Sequence, residues 1–166
     1  MKNQVPFWQM LGLELKEVSS GEVVFECQLR DSHLQNGTVH GGLLASIADS
    51  ACAVAGISLV FPARYATTIN LQLSYLRPVA QGRITARGKC IKAGRNLLFC
   101  EAQVFDEHGC LLCTATSQLI VVSLNPQPEL ELHPTLTQTI PARAYHVLLS
   151  AVACTYRHWH DRPIGH

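Results

Sequence analysis

The sequence predicts an α+β domain in which one long helix is wrapped by a five- to six-stranded antiparallel sheet. Three observations carry that expectation. From Gly41 to about Ser58, the residues Leu44, Ile47, Ala48, Ala51, Ala55 and Ser58 recur at three- and four-residue spacing, the period of a helix. On both sides of this stretch the pattern alternates residue by residue, as half-buried strands do. The links between the later alternating runs are short, which makes sequential strands antiparallel neighbours. With 166 residues, 48% of them apolar, the chain supplies one sizeable core.

The elements follow in order. Pro6 and Gly12 bracket Phe7-Trp8-Gln9-Met10-Leu11, the usual asymmetry of a short helix, here expected to act as a lid. Leu13 to Val18, a Ser19-Ser20-Gly21 turn and Glu22 to Leu29 read as a hairpin, because Val23, Phe25, Cys27 and Leu29 alternate with mostly polar neighbours. After the helix and Pro62, Thr67, Ile69, Leu71, Leu73 and Tyr75 are expected on one face of a strand. Thr68, Asn70, Gln72 and Ser74 are expected on the other. Strands at Arg83 to Ala93, Asn96 to Asp106 and Leu111 to Val122 follow. A sheet of this kind leaves edges, which pairing with a second copy would cover.

The alternating pattern stops near Leu124, where Asn125-Pro126-Gln127-Pro128 breaks it and the composition shifts toward histidine. The chain is therefore read as a domain over 1–124 and a tail over 125–166, with helical spacing of Tyr145, Leu148, Leu149 and Val152 inside the tail. His158, His160 and His166 are read as tail residues rather than as metal ligands.

Composition narrows the function. Thirteen Lys and Arg against twelve Asp and Glu give a net charge of +1, which lacks the basic excess that nucleic-acid binding requires. No apolar run is expected to reach the roughly 20 residues of a membrane span, and MKNQVPFWQM has no apolar signal core, so a cytoplasmic location is expected. Seven irregularly spaced cysteines fit no disulfide framework and are read as reduced. The pair Cys110 and Cys113 has no second pair to complete a zinc site.

The chemistry concentrates between Asn36 and Ala51. Gly41 and Gly42 stand at the entrance of the long helix, where free N–H groups and the helix dipole can hold a carbonyl oxygen that becomes negative during reaction; a tight turn would use the same glycines. Asp49 lies inside an otherwise apolar helix, where burying a carboxylate is costly, so either a function or a Ser or Thr hydroxyl must account for it. Gly42, Ala45, Ser46, Asp49, Ala53 and Gly56 fall on or near one helix face, and all but the aspartate are small.

The run Gly37-x-Val39-His40-Gly41-Gly42, then Ala48-Asp49-Ser50-Ala51 and later Gly94-Arg95-Asn96-Leu97, resembles the hotdog-fold acyl-CoA thioesterases of the phenylacetate-pathway, PaaI-like type. The resemblance covers about residues 5 to 124 and implies a hotdog fold and hydrolysis of an acyl-CoA to a free acid and coenzyme A, with no cofactor. It implies Gly41 N–H as the donor to the thioester carbonyl and Asp49 as nucleophile or as the general base that activates water. Thr68 would orient that water. The family's Asn or Gln six residues before the histidine is replaced by Leu34, so Asn36 or Gln35 is the expected substitute. His40 and Gly42 are expected at the substrate or in loop hydrogen bonding, and Gly94 and Arg95 at a coenzyme A phosphate or in an ordinary turn. Phe7, Trp8, Leu34, Phe61 and Tyr65 are candidates for an acyl tunnel or for plain core. The expected partners are the acyl-CoA and a second copy of the chain, as a homodimer or a dimer of dimers. A non-catalytic acyl-CoA binder on the same fold is the alternative.

Overall fold

The computed structural model describes residues 5–123. The expectations for the tail, 125–166, and for its boundary lie outside these residues. Helix α1 (Pro6–Leu11) leads into β1 (Leu13–Ser19) and β2 (Glu22–Gln28), and a 3-10 turn at Asp31–His33 precedes two short strands, β3 (Leu34–Gln35) and β4 (Thr38–Val39). Helix α2 (Gly41–Val60) follows, then β5 (Arg64–Tyr75), β6 (Arg83–Ala93), β7 (Leu97–Phe105) and β8 (Leu111–Ser123). The six long strands form one antiparallel sheet in the order β1-β2-β6-β7-β8-β5, so β1 and β5 are its edges.

The sheet wraps α2 because that helix is apolar nearly all round. Leu43, Leu44, Ile47, Ala48, Ala51, Cys52, Val54, Ala55, Ile57 and Val60 are all buried, against Phe25, Ile84, Leu98, Val104 and Leu119 from the strands. Close approach requires Gly88 on β6, where a Cβ would collide with the carbonyl of Ala51. Gly56 is likewise turned toward the sheet, under Leu98 and Cys100, and does not belong to the open small-residue face expected for it. The rest of that face stays partly open at Gly42, Ala45, Ser46, Asp49 and Ala53.

Several expectations need correcting. Over Gly41–Val60 the chain is long and apolar enough to cross a membrane, contrary to the expectation that no run would be; two-thirds of the window is covered by the protein's own sheet, which makes it a core helix. Helix α1 is anchored to the core through Trp8, which is buried, edge-on to Phe25 at 4.9 Å, with its indole N–H donated to Ser50 Oγ at 3.2 Å. Trp8 is thus part of the packed core.

Strand β5 does not alternate strictly. A bulge at Ile69, between the pairs Thr68↔Leu119 and Asn70↔Gln118, reverses the phase. Thr68 therefore shares the helix-facing side with Leu71, Leu73 and Tyr75, while Thr67 faces out.

Candidate active site

The site is built where α2 begins and where β5 passes beneath its third turn. His40 is extended, with φ −62° and ψ 129°, and its Nδ1 accepts the Gly42 N–H at 2.8 Å. This is a side-chain N-cap, and it leaves Nε2 to carry the ring proton. Gly42 is required by that cap, since a Cβ there would stand 2.8 Å from the same nitrogen. The His40 carbonyl takes the Leu43 N–H at 3.0 Å. Among the described residues, the Gly41 N–H has no hydrogen-bond partner, and it lies at the positive end of the helix dipole.

The loop ahead of this N–H is tied down on two sides. His40 N–H donates to the His33 carbonyl at 2.9 Å, and Val39 N–H donates to the Val79 carbonyl at 2.8 Å. Asn36 (φ 52°) and Gly37 (φ 79°) form the two-residue turn between β3 and β4, with both central residues in the left-handed region that such hairpins demand. The turn accounts for both residues. It places Asn36 and Gln35 on an exposed hairpin and brings neither amide into a hydrogen bond with Asp49.

Asp49 and Thr68 are brought together: the threonine Oγ1 donates to Asp49 Oδ1 at 2.9 Å, joining α2 to the edge strand. Burial pushes the Asp49 carboxyl above its usual range, and the Thr68 hydrogen bond opposes part of that rise. The result is a half-buried carboxylate that is more basic than an exposed one. The hydroxyl expected to satisfy the aspartate is thus present, and it is the one expected to orient water.

Tyr75 was missed as a site residue. Its hydroxyl donates to the Gly41 carbonyl at 3.0 Å, and its ring lies 3.2 Å from where a Gly41 Cβ would be. The available signal was its place in the inward phase of β5; its contact, 34 residues away in sequence, has no local trace. Arg95 is exposed on the β6–β7 turn, held by Gly94 N–H to the Leu97 carbonyl at 2.8 Å and by the Arg64 guanidinium to its own carbonyl at 2.8 Å.

A family model described as the thioesterase superfamily matches residues 36–113, which contain the His40-Gly41-Gly42 cap, Asp49 and Thr68. The phenylacetic acid degradation protein PaaI of Thermus thermophilus, solved as a variant, is 32% identical and superposes with a TM-score of 0.65 over 70% of this chain and 98% of that one. The chain belongs to the thioesterase superfamily. Its helix wrapped by a six-stranded antiparallel sheet is the hotdog fold, as the sequence led one to expect. Medium/long-chain acyl-CoA thioesterase YigI of Salmonella typhimurium is 26% identical over 134 residues, 70% of this chain and 86% of that protein. A Haemophilus influenzae relative is 28% identical over 88 residues, and the match spans 53% of this chain and 64% of that relative's length.

Within one protomer the candidate carbonyl donor and the candidate acid do not meet. Gly41 and Asp49 are separated by eight residues of continuous helix, about 12 Å at 1.5 Å per residue.

Proposed function

We propose that this protein hydrolyses acyl-CoA thioesters to a free acid and coenzyme A, in a site assembled from two protomers. The Gly41 N–H of one would hold the thioester carbonyl, and Asp49 with Thr68 of the other would deliver the attack. The observation that carries this reading is the pairing of a half-buried, proton-favouring aspartate with a threonine hydroxyl on the same partly open face as an unpartnered helix N-terminal N–H.

Thr68 occupies Oδ1 of Asp49 and fixes the carboxylate plane, so the second oxygen is the one to act. As a general base it takes a proton from water while the hydroxide adds to the carbonyl. As a nucleophile it adds directly, expels the coenzyme A thiolate and leaves a mixed anhydride that water then cleaves. In both routes the oxyanion forms against the Gly41 N–H. Two antiparallel copies of α2 across a two-fold axis would bring Gly41 of one to Asp49 of the other, and the small residues on that face permit the approach. The outer edge of β5, unpaired among the described residues and twelve residues long with Ile69 and Tyr75 more than half exposed, favours the same partner.

Arg95, on the turn that begins at Gly94, is assigned to a coenzyme A phosphate. The proposed chemistry uses side chains, backbone and water only, with coenzyme A entering as part of the substrate. The proposed setting is the cytoplasm.

Release of free thiol from a panel of acyl-CoAs tests the reading. Turnover supports it. Tight binding with no turnover would replace it by a non-catalytic acyl-CoA binder, in which the Thr68 hydrogen bond serves only to satisfy a buried aspartate.

A further inference from the structure

Three thiols outside the proposed site surround the second half of α2. Cys52 lies on the helix, Cys90 on β6 and Cys100 on β7. Cys100 is 1% exposed, with its sulfur 3.3 Å from where a Cβ on Gly56 would be. Cys90 is half-buried.

Cys90 and Cys100 are direct cross-strand partners. Their backbone pattern decides how close the side chains come. In an antiparallel sheet the N–H and C=O of one residue point to the same side, and Cys90 N–H is given to the Gly21 carbonyl at 2.8 Å, on the β2 side. Toward β7 the pair is therefore of the non-hydrogen-bonded kind. In a regular ladder such pairs hold their Cα atoms about 4.5 Å apart, the closer of the two antiparallel spacings and within the range a disulfide spans; the pairing is regular from Thr85 to Cys90, and the bulge at Ile91 follows it. Both side chains are on the inner face, because Cys100 is buried beneath α2 and directly opposed residues share a face.

We propose that Cys90 and Cys100 are an oxidation site that forms a cross-strand disulfide on exposure to a hydroperoxide. Cys90, the more accessible thiol, attacks the peroxide oxygen; the O–O bond breaks, the sulfur becomes a sulfenic acid and the first water leaves. Cys100 then attacks the Cys90 sulfur, the S–O bond breaks, and its proton departs with the hydroxide as the second water. Two thiols and one hydrogen peroxide thus give one disulfide and two waters. Burial and the neighbouring Cys90 keep the Cys100 thiol protonated, and burial with Asp49 and Glu101 nearby pushes Cys52 up to about 12. The difference in accessibility, Cys90 half-buried and Cys100 1% exposed, assigns the first attack to Cys90 and the resolving step to Cys100. The inference is independent of the thioesterase reading.

The test uses the full chain, folded, with hydrogen peroxide as the probe, followed by alkylation of remaining thiols. Trypsin and a glutamate-specific protease then separate Cys90 from Cys100, since Lys92 and Arg95 lie between them and Glu101 follows directly. The expected product is one linked pair of peptides, Cys90-Ile91-Lys92 and Asn96 to Glu101, which a dithiol reductant separates. Cys90→Ser is expected to leave Cys100 reduced, and Cys100→Ala to leave a Cys90 sulfenic acid that dimedone traps. Cys90 and Cys100 unlinked in wild type under peroxide that oxidises Cys110, or Cys90 linked to a different cysteine, would overturn the proposal.

Discussion

Gly41→Pro isolates the proposed oxyanion donor, and the local structure shows why it should spare the fold. Proline removes one N–H, and the Gly41 N–H has no partner among the described residues to lose. Proline is favoured at the first helical position, where φ is already set near its fixed value. It also demands an extended residue before it, and His40 is extended at φ −62° and ψ 129°. The added carbons meet the Tyr75 ring, 3.2 Å from a Cβ at this position, but Tyr75 is 56% exposed and has room to yield. Loss of one oxyanion donor typically costs about 10²–10³ in kcat, so the variant should fold, unfold at close to the wild-type temperature and lose turnover by that factor. The decisive assay mixes it with Asp49→Asn. Each parent alone has every site broken, whereas a mixed dimer has one site with both groups intact. Random pairing of equal amounts makes half the dimers mixed, so about a quarter of wild-type sites should return. Wild-type kcat in folded Gly41→Pro would remove this N–H from the mechanism. No recovery in verified mixed dimers of folded subunits would reject the shared site.

The other outcomes are simpler to measure. Asp49→Asn should lower kcat by about 10²–10⁴ and, in the same sample at neutral pH, raise the melting temperature. The sign follows from the raised folded-state pKa: burial disfavours the ionised form, so the wild-type carboxylate destabilises the fold above that pKa, and the amide removes the charge while keeping an oxygen for Thr68. A melting temperature below wild type at neutral pH would contradict it. Thr68→Ala should cost less turnover than Asp49→Asn, because water can replace a hydroxyl, and should move the acidic limb of the pH–rate profile to higher pH, since the lost hydrogen bond lowers the Asp49 pKa. An unmoved limb would leave Thr68 as a strand residue only. Truncation after Leu124 is expected to leave thiol release unchanged, because every residue assigned to the chemistry precedes it; a soluble, dimeric and inactive product would show the reverse.

The long strands were legible because burial on one face writes a period of two into each, whereas α2, apolar nearly all round, was legible as one long apolar run between turn residues, and each of these elements is long enough to show its pattern. Elements of two residues are not: β3 and β4 carry no alternation, and only Asn36-Gly37, a strong hairpin dipeptide, marked them. Asn36 and Gln35 came into the site reading by another route, as the amides next to Leu34, which stands where relatives carry an Asn or Gln six residues before the histidine. The side of Thr68 was illegible for another reason. Strict alternation from Thr67 to Tyr75 puts Thr68 outward with Asn70, and a single extra residue at Ile69 turns it inward. No composition rule announces such a bulge. The resemblance to relatives selected Thr68 where periodicity opposed it, and the 2.9 Å bond to Asp49 shows which was right about its position.

That bulge also links two surfaces that otherwise look like separate imperfections of the fold. The sheet covers most of α2 but leaves Gly42, Ala45, Ser46, Asp49 and Ala53 partly open, and the sheet itself ends in β5, whose outer edge has no partner strand among the described residues. Because Thr68 on β5 bonds Asp49 on α2, and Tyr75 at the far end of β5 bonds Gly41 at the start of α2, the open edge and the open helix face lie side by side. A partner that paired the edge would be carried against the helix face by the same contact. The proposed acid and the proposed N–H donor, too far apart on one helix to meet, both border that open surface, so the surface a second copy would cover is also the one to which the proposed chemistry is assigned.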